Sequence, residues 1–195
     1  MNRITEEHGK SLVELARRTI AERLKQTEIS GDVESSLTAC LDEACLQVKR
    51  GTFVTLKTKG QLRGCMGCLT ASESIVDGIR RNALNAAFND PRFPALTLEE
   101  LTDAEIEVSI LTEPKELHYS DGNDLITKLS PNIDGLIIKK GMARATFLPQ
   151  VWKQLPQTED FLAHLCRKAC LPGDAWQSGE LEVSTYQVQY FHEHK

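Results

Sequence analysis

Phe53-Val54-Thr55-Leu56-Lys57-Thr58-Lys59-Gly60-Gln61-Leu62-Arg63-Gly64-Cys65-Met66-Gly67-Cys68 is the stretch on which the fold turns. Phe53 to Lys57 is rich in β-branched and aromatic residues, which predicts a strand. Lys59-Gly60 predicts a turn, so Gln61 to Gly64 returns as the second arm of a hairpin. Residues 62–68 are unusual in composition, with two glycines, two cysteines and an arginine close together. Glycine is used where φ is positive or where the backbone approaches something closely. Arginine offers a rigid fork of donors for an anion. Thr70-Ala71-Ser72-Glu73 fits a capping box, which predicts a helix from there to about residue 88, with Ile75, Ile79, Ala83 and Ala87 inward. On this reading residues 62–68 form a glycine-rich loop between strand and helix, near a helix N-terminus that favours anions.

Working outward, residues 10–26 predict an amphipathic helix, with Leu12, Leu15, Ala16, Ile20 and Leu24 at helical spacing. Residues 27–34 read as a polar loop and 35–49 as a second helix, with Leu37, Leu41, Cys45 and Val48 on one side. Asp90-Pro91-Arg92-Phe93-Pro94 is expected to be non-helical, because each proline disfavours helix in the residue before it. A helical turn is expected at 99–101, and strands at 105–111, 135–140 and 141–147. Short helices are expected at 124–129 and 158–170. Residues 181–191 read as one last strand, with a bulge near Thr185 where the inward set changes. Strands come in adjacent pairs with helices between the pairs, which argues for an α+β fold with antiparallel sheets.

The chain of 195 residues is 41% hydrophobic and 26% charged, the balance of an ordinary globular domain. A net charge of -5 carries no basic footprint for nucleic acid. No run reaches the roughly 18 apolar residues of a membrane span. The first residues lack the apolar core of a signal peptide. A cytoplasmic location is therefore expected, with the six cysteines reduced.

Cys65 has three readings: a nucleophile activated by Arg63 and a helix N-terminus, a residue lining a binding cleft, or a small core residue. A nucleophile needs a base nearby, and His118, His164 and His192 are the candidates. Arg63 can bind a ligand's carboxylate or phosphate, or pair with an internal acid. Arg92, on a stiff loop, can do the same or clamp to Asp90 or Glu107. Cys65 and Cys68 have a metal or redox spacing. Cys166 lies on its helix's apolar stripe, however, so these two and the pair Cys166 and Cys170 are not expected to form an all-cysteine zinc site, and no structural zinc is expected anywhere in the chain. Cys40 and Cys45 read as core packing. Asn82, Asn85 and Asn89 read as a polar face.

Leu62-Arg63-Gly64-Cys65-Met66-Gly67 resembles the Leu-Arg-Gly-Cys-Ile-Gly signature of the AMMECR domain family, whose bacterial members are called AmmeMemoRadiSam system protein A. Gly51 to Leu56, Asp90 to Pro94, Ile106 to Leu111, Phe147 to Val151 and Leu165 to Ala169 resemble further blocks in the family's order. The resemblance covers about residues 10–190. Met66 replaces the usual Ile, Cys68 is additional, and Cys170 stands where Gly is common. The resemblance implies one AMMECR-type domain made of two interlocked α/β subdomains sharing a cleft, with the glycine–cysteine loop facing it. It also implies an association with Memo-like and radical S-adenosylmethionine proteins. Two functions are expected on these grounds. One is an enzyme or enzyme component binding a small anionic ligand, with Cys65 as nucleophile and Arg63, Gly64, Gly67, Asp90 and Arg92 as ligand-binding residues. The other is a non-catalytic partner module. Neither requires a metal or cofactor.

Overall fold

The computed structural model describes residues 4–25 and 34–193. Helix α1 spans Glu6–Lys25 and α2 spans Glu34–Leu41; strands β1 and β2 are Thr52–Thr58 and Gln61–Cys68. Helices α3, Ile75–Phe88, and α4, Leu98–Asp103, come next. Strand β3 is Ala104–Leu111 and β4 is Lys115–Glu116; helix α5 is Gly122–Lys128. Strands β5 and β6 are Gly135–Lys140 and Ala143–Phe147, helix α6 is Thr158–Lys168, and β7 and β8 are Glu182–Tyr186 and Val188–His192. Two four-stranded sheets result, in the orders β2-β1-β3-β8 and β4-β7-β5-β6. Strand β1 pairs antiparallel with β2, and β5 with β6, as the hairpin pattern predicts; β1 also pairs antiparallel with β3, and β5 with β7. The fold is α+β.

The chain divides into two units, residues 1–111 with 189–195, and residues 112–188. In the first unit one face of the sheet is apolar. Val54, Leu56, Ile106, Val108 and Ile110 are buried there in one core with Leu12, Ala16 and Ile20 of α1 and Ile75, Ile79 and Ala83 of α3. In the second unit the core gathers around Trp152, which stacks on Phe161 with ring centroids 3.7 Å apart. The Trp152 indole N–H donates to the Asp134 carbonyl at 2.8 Å, which satisfies its one buried donor.

Five expectations are corrected. The second helix ends at Leu41, not 49, because the Gln47 side-chain amide donates to the Leu41 carbonyl at 2.8 Å and closes the helix there. Helix α3 starts four residues later than the Thr70-Ala71-Ser72-Glu73 box suggests. Its N-cap is Ser74, whose hydroxyl accepts from the Asp77 N–H. Residues 62–68 are therefore strand, not a strand-to-helix loop. The change of inward set near Thr185 is not a bulge: the chain leaves one sheet after Tyr186 and enters the other at Val188. Asn82 is buried, and its amide donates to the Thr52 carbonyl and hydroxyl across the helix–sheet interface. The expected loop at 27–34 lies outside the described residues except for its last position, Glu34, which starts α2.

Candidate functional site

Lys59 and Gly60 both have positive φ, 52° and 74°, the type I′ geometry that joins two antiparallel strands tightly. The hairpin's register then skips once. Leu56 faces Gly64 and Lys57 faces Leu62, which leaves Arg63 as the extra residue of a β-bulge. A bulge re-aims a side chain. Arg63 Nε and Nη2 donate to the two carboxylate oxygens of Glu100 at 3.0 and 2.9 Å, and Nη2 also donates to the Pro94 carbonyl at 2.9 Å. Glu100 in turn closes the capping box of α4 with Thr97. The Arg63 guanidinium, then the Thr97 N–H, hold the Glu100 carboxyl below its ordinary range. Arg63 Nη1 is buried and has no hydrogen-bond partner among the described residues.

Beyond the bulge the side chains alternate as on any strand. Gly64 faces α3: a Cβ built there would lie 2.2 Å from the Ala86 carbonyl oxygen. Gly67 lies under the Phe53 ring, 2.1 Å from where its Cβ would stand. Neither glycine has positive φ, so close approach, and not left-handed backbone, is what requires them. Met66 packs on the helical core with Gly64. Cys65 takes the other face. Its Sγ accepts from the Thr55 hydroxyl at 3.2 Å, directly across the ladder. Thr55 in turn faces Glu107 on β3. The Glu107 carboxylate accepts from Lys57 Nζ at 2.7 Å and stands 3.4 Å from His192 Nδ1. A thiol, a hydroxyl, a carboxylate, an ammonium and an imidazole thus share one face of four strands.

Strand β2 is an edge of its sheet, and the Asp90–Arg92 turn covers it. The Cys65 N–H donates to Asp90 Oδ2 at 2.9 Å, and its carbonyl accepts from Arg92 Nη2 at 3.3 Å. Arg92 Nε and Nη2 also donate to Asp90 at 2.9 and 2.6 Å. An aspartate–arginine pair thus stands in for the missing neighbour strand. Asp90 is buried while Arg92 keeps half its side chain in solvent. The bonds from Arg92 hold the Asp90 carboxyl well below the usual carboxylate range, although burial opposes them, with the Cys65 and Arg92 N–H groups adding to the effect. Phe93 lies between the two arginines, 5.8 Å from Arg63 Cζ and 5.5 Å from Arg92 Cζ.

All six residues singled out from the sequence therefore meet around β2, but in roles the spacing does not show. Arg63 points to Glu100 and not to Cys65; the arginine beside Cys65 is Arg92. Of the three histidines, His192 shares the face of Cys65. It stands three strands away, roughly 14 Å at the usual interstrand spacing, outside hydrogen-bond reach. His118 and His164 are exposed in the second unit. Thr55 and Lys57 are the functional-face residues that the sequence reading missed. The i, i+2 alternation of Phe53 to Lys57 was the signal that could have found them. Two cavities of about 440 and 410 Å³ lie beside Trp176 in the second unit, and none of the six residues lines either one. Among the described residues, no helix is long and apolar enough to cross a membrane.

The AMMECR1 family model matches residues 13–191. The chain is 38% identical over 191 residues to a protein of Methanothermobacter thermautotrophicus, covering 97% of this chain and 96% of the relative. It is 39% identical over 148 residues to Protein MJ0810 of Methanocaldococcus jannaschii, covering 74% of each. The crystal structure of the uncharacterized protein PH0010 from Pyrococcus horikoshii is similar, with a TM-score of 0.78 at 36% identity over 97% of this chain and 93% of that one. With the signature strand, its clamp and these likenesses together, the chain belongs to the AMMECR1 family.

Proposed function

We propose that this chain is an enzyme component that presents Cys65 to a small anionic ligand at the signature strand. One observation carries the reading. The backbone of Cys65 is fixed at both its N–H and its C=O by Asp90 and Arg92, while its thiol stays half-exposed and takes a hydrogen bond from Thr55. Pre-organisation of this kind favours recognition and catalysis over plain packing. Arg63 Nη1, buried and unpaired among the described residues, supplies a donor that an anion would satisfy.

Site-resolved alkylation tests this. Cys65 should react with a small alkylating reagent at least about tenfold faster than Cys166, which is fully buried. The exposed Cys170 serves as internal reference. Thr55→Val should change the Cys65 rate several-fold and leave Cys170 unchanged. An inert Cys65, or one indifferent to Thr55→Val, would sink the reading.

A second reading has its own support. Arg63 and Arg92 each pair with an acid of this chain, and the hydrogen bond that the Cys65 sulfur accepts comes from a hydroxyl and not a base. That suits a non-catalytic module working with Memo-like and radical S-adenosylmethionine proteins. A complex with purified partners of those two kinds that forms equally well with Cys65→Ser would favour it.

A further inference from the structure

We propose that His8, Cys40, Glu43 and Cys45 form a binding site for one zinc ion. Single donor atoms of His8, Cys40 and Glu43 lie within 4.8 Å of one another. Cys45 brings a second sulfur to the same place. Its Sγ is 3.8 Å from His8 Nδ1, 3.9 Å from His8 Nε2 and 4.0 Å from Glu43 Oε2. Across a tetrahedral zinc, sulfur and nitrogen ligands stand roughly 3.5 Å apart, given bonds of about 2.3 and 2.0 Å. Cys45 therefore needs to close on His8 and Glu43 by a few tenths of an ångström, and the donors of His8, Cys40 and Glu43 by up to about 1.3 Å. The sequence reading of Cys40 and Cys45 as core packing on one helix holds in part: Cys45 packs half-buried against the core of the first unit, but off that helix. Cys40 ends up half-exposed in the last turn of α2, and Cys45 lies beyond that helix.

The donor set selects the metal. Two thiolates, an imidazole and a carboxylate are ligands that zinc accepts together, and each cysteine thiol gives its proton to solvent as the ion binds. Magnesium and calcium take oxygen almost throughout. Access is open on the Glu43 side, whose side chain is 52% exposed, while that of His8 is 12% exposed. Burial, and then the Glu43 carboxylate, push the Cys45 thiol up; a dication among these groups replaces that repulsion with attraction. The histidine needs one adjustment. Its Nδ1 accepts from the Thr5 N–H at 3.2 Å, so the neutral ring carries its proton on Nε2, 2.9 Å from Glu43. Ligation through Nε2 moves that proton to Nδ1 and turns the exposed Thr5 N–H to solvent, a small cost. In return the ion ties the eight-residue α2, too short to persist alone, to the first turn of α1.

The test uses untagged full-length protein, stripped with a chelator under reductant and dialysed against micromolar Zn²⁺. Metal analysis should find about one equivalent. Co²⁺ in place of zinc should give a thiolate-to-cobalt charge-transfer band and tetrahedral visible bands. Cys40→Ser, Cys45→Ser and His8→Gln should each weaken zinc binding by more than the roughly 10–100-fold that losing an outer-shell partner costs. Cys68→Ser should leave it unchanged. Zinc should raise the melting temperature of the wild type and not that of the Cys40→Ser, Cys45→Ser double variant. Well under half an equivalent of zinc, a cobalt spectrum without the thiolate band, or a band that survives in the double variant would each overturn the site. The wild-type cobalt spectrum decides the matter even if a variant does not fold.

Discussion

Gly64→Ala should lower the melting temperature of this protein by about 6–12 °C. The added methyl would sit 2.2 Å from the Ala86 carbonyl oxygen, which is helix backbone and cannot swing aside as a side chain can. Helix α3 must lift from the sheet by about an ångström, against a core that includes Ile75, Ile79 and Ala83. Overpacking of this kind costs typically about 1–3 kcal/mol, and a backbone obstacle places it at about 3. For a chain of this length each kcal/mol is worth roughly 2–4 °C. Gly60→Ala is the control. It meets nothing within 4 Å, although its φ is positive at 74°, so it should cost only the roughly 1 kcal/mol of left-handed backbone. Equal losses for the two variants in thermal denaturation would show that the close approach at Gly64 does not matter.

Asp90→Ala should destabilise the chain at neutral pH by about 2–4 kcal/mol in urea unfolding. It removes the acceptor of the Cys65 N–H, the Arg92 N–H and the Arg92 guanidinium at once. Breaking a pair buried on both sides costs about 3–5 kcal/mol; the lower figure applies because Arg92 can turn to water. The pH dependence has a definite sign. The carboxyl is depressed in the folded state relative to about 3.9 in the unfolded chain. Its contribution is therefore complete above about pH 4 and is lost as the pH falls through the folded value. The gap between wild type and variant should narrow on acidification. A gap that stays constant between pH 7 and pH 3 would mean that ionisation of Asp90 is not what holds the strand.

The signature shows how far residue pattern reaches. Lys59-Gly60 between two strand-like runs made the hairpin legible, and the spacing of Ile75, Ile79, Ala83 and Ala87 made the face of α3 legible. The glycines were legible only as two alternatives, of which the structure realises close approach. Positive φ and close approach leave the same mark in a sequence, and at Gly64 and Gly67 the cause is a neighbour brought in by folding. The bulge at Arg63 comes from a one-residue slip in register that no local pattern records, and with it goes the choice of Glu100 as partner. The split between β7 and β8 was visible as a change of inward set, and what stayed hidden was that two sheets, not one bent strand, cause it. His8 and Cys40 meet across 32 positions through the packing of two helices, so periodicity along either one is silent about the cluster.

Strand β8 carries a consequence for biosynthesis. It lies beside β3 in a sheet otherwise built from residues before 112, and its Phe191 ring fills the space that a side chain at position 9 would need. Arg17 of α1 pairs with Glu193 just beyond it. A ribosome makes about 5–20 residues per second, so the 80 positions from Leu111 to Phe191 take roughly 4–16 s. For that interval the nascent first unit has an uncovered β3 edge and an open recess at Gly9, while the whole of residues 112–188 is being synthesised. Order of synthesis and order of completion are therefore reversed in this chain: the unit begun first finishes last. Chains arrested at Val188 should be cut by protease within residues 4–111 faster than chains that include Glu193.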